Sequence, residues 1–120
     1  MLTGGGSAET LYQHWAKLKP WKHKKIDYFF GDERSVPPNH PESNYGMVKR
    51  MLFKDGIPDE CNIHRKRGET IDADEEANKY SDLLQGHNDI LLFPVGHDGH
   101  IAFLFTFSEV LYDKRKKLCL

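Results

Sequence analysis

The chain has 120 residues, enough for one compact domain and too short for two ordinary ones. Its 17 basic and 18 acidic residues leave a formal net charge of −1, which removes the long-range field that favours nucleic acid or an anionic membrane as a partner. No apolar run approaches the roughly 20 residues that span a bilayer, and Met1 to Gly6 lacks the basic start and apolar core of a secretory signal. Cys61 and Cys119 stand far apart and alone, which fits free thiols in a reducing cytoplasm better than a disulfide framework.

In chain order, helix and strand signals alternate, the pattern of a parallel sheet with crossover helices. A glycine loop at Gly4 to Gly6 leads into a helix expected from Ala8 to Leu18, with Ser7 as its N-cap and Leu11, Trp15 and Leu18 along one face. Pro20 marks the exit, and Ile26 to Phe30 reads as a strand. Tyr45, Val48, Met51 and Leu52 form a helical stripe that starts near Ser43 or Asn44 and is ended by Gly56-Ile57-Pro58. A short strand fits Asn62 to His64. Asp72 to Leu84 reads as a helix, with acidic residues in its first turn and Ala73, Ala77, Tyr80 and Leu84 on one face. After Gly86, the apolar run Ile90 to Val95 is expected to be a buried strand.

Two polar clusters follow two of these strands: Asp32-Glu33-Arg34 after the first, and Gly96-His97-Asp98-Gly99-His100 after the last. Ligands of open α/β sheets bind beyond the carboxyl ends of strands, so both are candidate site segments. A guanidinium such as Arg34 grips a phosphate through two parallel hydrogen bonds; read alone, the cluster is also a local ion pair with a helix or turn cap. Thr3-Gly4-Gly5-Gly6-Ser7 before a helix can turn backbone N–H groups toward an anion, although three glycines alone also serve as a flexible lead-in. Histidine takes up and returns protons near neutral pH, and Asp98 is near enough in sequence to His100 to orient its ring. His97 and His100 without a convincing third ligand make a weak zinc pattern. No Gly-x-Ser-x-Gly elbow and no Walker loop is present, so neither a serine triad nor ATP is implied. The basic run Lys114 to Lys117 reads as a solvated tail.

Taken in order, GGGS at Gly4 to Ser7, DERSVPPNHPESNYG at Asp32 to Gly46 and GHDGHIAFLF at Gly96 to Phe105 resemble the 6-phosphogluconolactonase and glucosamine-6-phosphate deaminase superfamily. That resemblance implies an α/β fold: a Rossmann-like three-layer domain with a mainly parallel sheet, incomplete at both ends. Residues 1–105 would form the partial domain and residues 106–120 an unmatched basic tail. The Asp32-Glu33-Arg34, Val36-Pro37 and Ser43-Asn44-Tyr45 elements look like the lactonase branch. Ile101-Ala102-Phe103 follows the deaminase pattern, Leu104-Phe105 the lactonase one, and Phe105 stands where the deaminase glutamate is expected. The implied reaction is hydrolysis of 6-phospho-D-glucono-1,5-lactone to 6-phosphogluconate, with a small-molecule sugar phosphate as partner and with no metal or other cofactor. By the same resemblance His100 is the general base and Asp98 its orienting group. Arg34 with Gly4, Gly5, Gly6 and Ser7 holds the phosphate, and Asp32 and Asn44 shape the site. The alternatives are an amino-sugar phosphate deaminase or isomerase, and a sugar-phosphate-binding remnant without turnover. No feature of the sequence sets an oligomeric state.

Overall fold

The computed structural model describes residues 1–19, 25–84, 86, 88–101, 104, 105, 107, 108 and 112. Pro20, Ala102, Phe103, Cys119 and the basic run Lys114 to Lys117 lie outside the described residues. The element order is α1 (Gly6–Leu18), β1 (Ile26–Phe29), α2 (Asn44–Met51), β2 (Cys61–His64) and α3 (Ala73–Leu83). The fold is α/β, with β1 and β2 parallel and in register from Ile26 opposite Cys61 to Phe29 opposite His64. A parallel pair needs a crossover, and here the loop and α2 supply it.

Leu2 lies along the edge of β1 away from β2. Its N–H donates to the Phe29 carbonyl at 2.6 Å, and its carbonyl accepts from the Gly31 N–H at 2.9 Å. The glycine loop is therefore anchored beside the carboxyl end of β1, and residues 4–6 arrive next to Asp32.

The core gathers Leu2, Ala8, Tyr12, Ala16, Tyr28, Phe30, Met47, Val48, Leu52, Phe53 and Cys61, with α1 packed against α2. Alternation along β1 sends Tyr28 toward Trp15 and Phe53, and Phe29 toward His64 and Tyr80 of α3. Helices thus meet the sheet from both faces. Among the described residues no helix is long and apolar enough to cross a membrane.

Three expectations need correction. Ser7 does not cap α1: the cap position is Gly5, which makes no side-chain cap bond, and Ser7 sits exposed in the first turn. The buried face of α1 is Ala8, Tyr12 and Ala16, whereas Leu11 and Leu18 are exposed. Small side chains let this helix approach α2 closely, and the Tyr12 hydroxyl finds both polar groups of Thr3. The run Ile90 to Val95 forms no strand, and Ile90, Leu91, Phe93 and Val95 are exposed. Its neighbour is the segment Met1–Leu2, where Leu92 N–H donates to the Met1 carbonyl at 3.1 Å and the Met1 ammonium to the Ile90 carbonyl. Two residues offer too few backbone groups for a ladder.

Candidate functional site

The carboxyl end of β1 opens into the loop that carries Asp32, Glu33 and Arg34, and each of the three has a different task. Glu33 is a cap for α2. Its carboxylate accepts the N–H groups of Asn44 at 2.7 Å, Tyr45 at 2.9 Å and Arg34 at 2.8 Å, and the Ser43 hydroxyl at 3.3 Å. Ser43 adds its own cap by accepting the Gly46 N–H at 3.0 Å. Two acceptors on one helix start satisfy donors that have no partner inside the helix, and the carboxylate also faces the positive end of the dipole.

Asp32 binds Asn44. The Asn44 amide donates to Asp32 Oδ2 at 3.0 Å and to the Asp32 carbonyl at 3.2 Å, while Thr3 Oγ1 donates to Asp32 Oδ1 at 3.4 Å. Gly4 packs directly on this pair: a Cβ there would come within 1.9 Å of Asn44 Oδ1. The glycine loop, the β1 end and the α2 start therefore form one hydrogen-bonded unit.

Arg34 is exposed. A cavity of about 300 Å³ is lined by Gly5, Gly6, Glu9, Arg34, Pro41, Glu42, Ser43, Asn44 and Met47. Four of the residues expected at the site, Gly5, Gly6, Arg34 and Asn44, line this one cavity; Gly4 and Asp32 brace it from behind, and Ser7 is not among its lining residues. Positive charge comes from the guanidinium and from the start of α1, which has no side-chain cap bond, whereas the start of α2 is already taken by Glu33 and Ser43. Glu9 and Glu42 add acceptors that suit sugar hydroxyls.

Asp98 and His100 form a separate pair. His100 Nδ1 is hydrogen-bonded to Asp98 Oδ1, the His100 N–H donates to the same oxygen at 3.4 Å, and the imidazole lies 5.0 Å from the Phe105 ring. The histidine bond holds the Asp98 carboxyl below its usual range. This is the orientation the sequence led us to expect, but neither residue lines the Arg34 cavity. The structure brings Gly5, Gly6, Arg34 and Asn44 together, and Asp98 and His100 together, as two groups.

One residue escaped sequence reasoning. Lys66 sits in the basic run His64-Arg65-Lys66-Arg67, which the sequence motifs do not single out, yet only 2% of it is exposed. Its ammonium donates to the Gly31 carbonyl at 3.1 Å and lies 5.3 Å from the centre of the Tyr80 ring. Burial pulls its pKa down, against the opposing pull of Asp32 and Glu33.

All 120 residues match the family described as glucosamine-6-phosphate isomerases/6-phosphogluconolactonase. A 6-phosphogluconolactonase of Haemophilus influenzae is 39% identical over 114 residues, covering 87% of this chain and 48% of that protein. A glucosamine-6-phosphate deaminase of Staphylococcus aureus is 33% identical over 110 residues, covering 85% of this chain and 43% of that protein. The crystal structure of 6-phosphogluconolactonase from Thermotoga maritima superposes with a TM-score of 0.76 at 27% identity, over 98% of this chain and 53% of that one. The chain thus spans about half the length of the curated relatives it matches. With motifs, fold and these likenesses in agreement, the chain belongs to the glucosamine-6-phosphate isomerase/6-phosphogluconolactonase family.

Proposed function

We propose that this chain carries the phosphosugar-binding and acid–base segments of a 6-phosphogluconolactonase, acting in the cytoplasm. The observation that carries the reading is the cavity where Arg34, the Gly5–Gly6 loop and the start of α2 converge on a space sized for a phosphosugar. The greater identity to a lactonase than to a deaminase favours the hydrolytic branch, as does Phe105 at the place of the deaminase glutamate.

In this reading the phosphate lies against Arg34 and the start of α1, and the sugar hydroxyls meet Asn44 and the flanking carboxylates. His100 Nε2 takes a proton from water as the water oxygen bonds to the lactone carbonyl carbon; Asp98 at Nδ1 orients the ring and stabilises its charged form. The tetrahedral intermediate then breaks its ring C–O bond, and the proton passes from the imidazolium to the leaving ring oxygen. Residues 1–105 hold every group in this account, and residues 106–120 are assigned no part in it. No cofactor is called for, because an ester carbonyl needs an activated water and a fixed electrophile.

A second reading is favoured by the separation of His100 from the Arg34 cavity: a phosphosugar-binding chain without turnover. Hydrolysis of freshly made lactone by the purified chain, corrected for spontaneous opening, decides between them. Turnover that falls at least a hundredfold in His100→Ala is the expected result. A folded chain that binds 6-phosphogluconate but leaves the lactone at its spontaneous rate establishes the second reading.

A further inference from the structure

We propose that Lys66 is a positioning residue for the phosphosugar site, fixing the Gly31–Asp32 turn and through it the Asn44 side chain at the cavity wall. The proposal rests on the phosphosugar reading above. Lys66 touches no lining residue of the Arg34 cavity by hydrogen bond; its influence runs through contiguous contacts. Its ammonium donates to the Gly31 carbonyl at 3.1 Å. The next residue, Asp32, receives the Asn44 amide on both its side chain and its carbonyl, at 3.0 and 3.2 Å. Asn44 in turn lines the cavity beside Arg34.

Tyr80 completes the clamp. Its hydroxyl accepts from the Phe30 N–H at 2.6 Å and donates to the His64 carbonyl at 2.9 Å, while its ring lies 5.3 Å from the Lys66 ammonium. Lys66 and Tyr80 therefore tie residues 30–31, just beyond β1, to residues 64–66 at the end of β2. Gly68, two residues further, packs so closely on Arg34 that a Cβ would lie 1.9 Å from its carbonyl oxygen. The same short segment thus braces both Asp32 and Arg34.

Physical cost argues for a task. An ammonium taken out of water loses strong hydration, and an unbranched apolar side chain would fill the same path without that penalty. What the charge gains here is one carbonyl, one ring face and the field of the Asp32 and Glu33 carboxylates, which hold Asn44 at the wall of the proposed site.

The test compares wild type, Lys66→Met and Lys66→Arg in the full chain, with 6-phosphogluconate as the probe. Lys66→Met is expected to keep its melting temperature within a few degrees, to bind at least tenfold more weakly, and to shift the Asn44 side-chain amide signals in a 15N-correlation spectrum. Lys66→Arg is expected to recover part of the affinity. Melting unchanged with affinity lost is a combination that a purely structural lysine does not produce. Binding within twofold of wild type with unmoved Asn44 signals overturns the proposal. Should Lys66→Met fail to fold, the wild-type protein still decides: saturating 6-phosphogluconate is expected to move the Lys66 Nζ resonance together with Asn44, and a Lys66 signal that stays put while Asn44 moves overturns it. Absence of any wild-type binding sinks the phosphosugar reading instead, and the Asn44 shift between wild type and the lysine variants then judges Lys66 by itself.

Discussion

Tyr12 is fully buried, and its hydroxyl accepts the Thr3 N–H and donates to the Thr3 carbonyl, both at 2.9 Å. Burial pushes its pKa, and that of Tyr28, up to about 12. An unfolded tyrosine ionises near 10, so between pH 10 and about 12 the unfolded chain releases protons that the folded chain keeps. Stability contributed by these phenols is fully present below pH 10 and is lost as the pH climbs to about 12, on the order of 2 kcal/mol for each. Lys66, whose folded pKa is lowered, works with the opposite sign: its burial penalty is relieved as pH rises toward 10.5. Guanidinium melts at pH 8 and pH 11.5 are expected to show a net fall, smaller in Tyr12→Phe. That variant should also lose about 1–3 kcal/mol at pH 8, because both Thr3 backbone groups lose their partner. A Tyr12→Phe chain with wild-type stability at pH 8 and an unchanged alkaline fall would refute this account. At this scale Arg34 and Asn44 share one local sequence motif and one cavity wall, and Glu33 fits the helix or turn cap that the Asp-Glu-Arg cluster suggests. Lys66 was not legible: its neighbours in sequence are charged, and its burial is decided by Gly31 and Tyr80, 35 and 14 positions away.

The glycine loop before α1 packs tightly across the start of α2. Gly4 has Asn44 where a side chain would go, with the nearest atom at 1.9 Å, whereas a Cβ on Gly6 meets nothing within 4 Å. Gly4→Ala is therefore expected to push Asn44 off Asp32 and to cost about 1–3 kcal/mol, as overpacking does. Gly6→Ala, at the first position of α1, should change stability by no more than about 0.5 kcal/mol, with any gain coming from helix propensity. Equal losses from the two substitutions in thermal melts would show that loop conformation, and not the Asn44 contact, sets the demand for glycine. The starts of α2 and α3 were readable because Ser43 and Asp72 are strong caps that act through the next turn, Ser43 on Gly46 and Asp72 on Glu75. The buried stripe of α1 was misread because Leu11 and Leu18 carry more hydrophobicity than Ala8 and Ala16, while close packing selects the small pair.

At the scale of the whole molecule, the main core comes from the first half of the sequence, and exposed large apolar residues crowd most densely after Asp89. Residues 2–61 supply the main hydrophobic cluster, whereas Ile90, Leu91, Phe93, Val95, Ile101, Phe105 and Phe107 are each more than 40% exposed. Periodicity shows that a run such as Ile90 to Val95 prefers burial, but burial needs neighbours, and the described residues offer it Met1–Leu2 along one side, a core contact at Leu92 and an isolated bridge from Val95 to Ile101. The curated relatives are about twice as long as the stretch they share with this chain. Seven large apolar side chains within 18 positions, beside backbone groups that lack a ladder, form a surface that associates with its own kind. The isolated 120-residue chain is thus expected to self-associate at micromolar concentrations and to bind a hydrophobic dye before any heating. Phe93→Lys and Val95→Lys together should shift sedimentation toward the monomer and reduce the dye signal while leaving the melting of the 2–61 core in place. A wild-type chain that stays monomeric at 100 micromolar or so, without dye binding, would mean that these side chains cover one another in solution, and would return Ile90 to Val95 to the buried strand that its sequence describes.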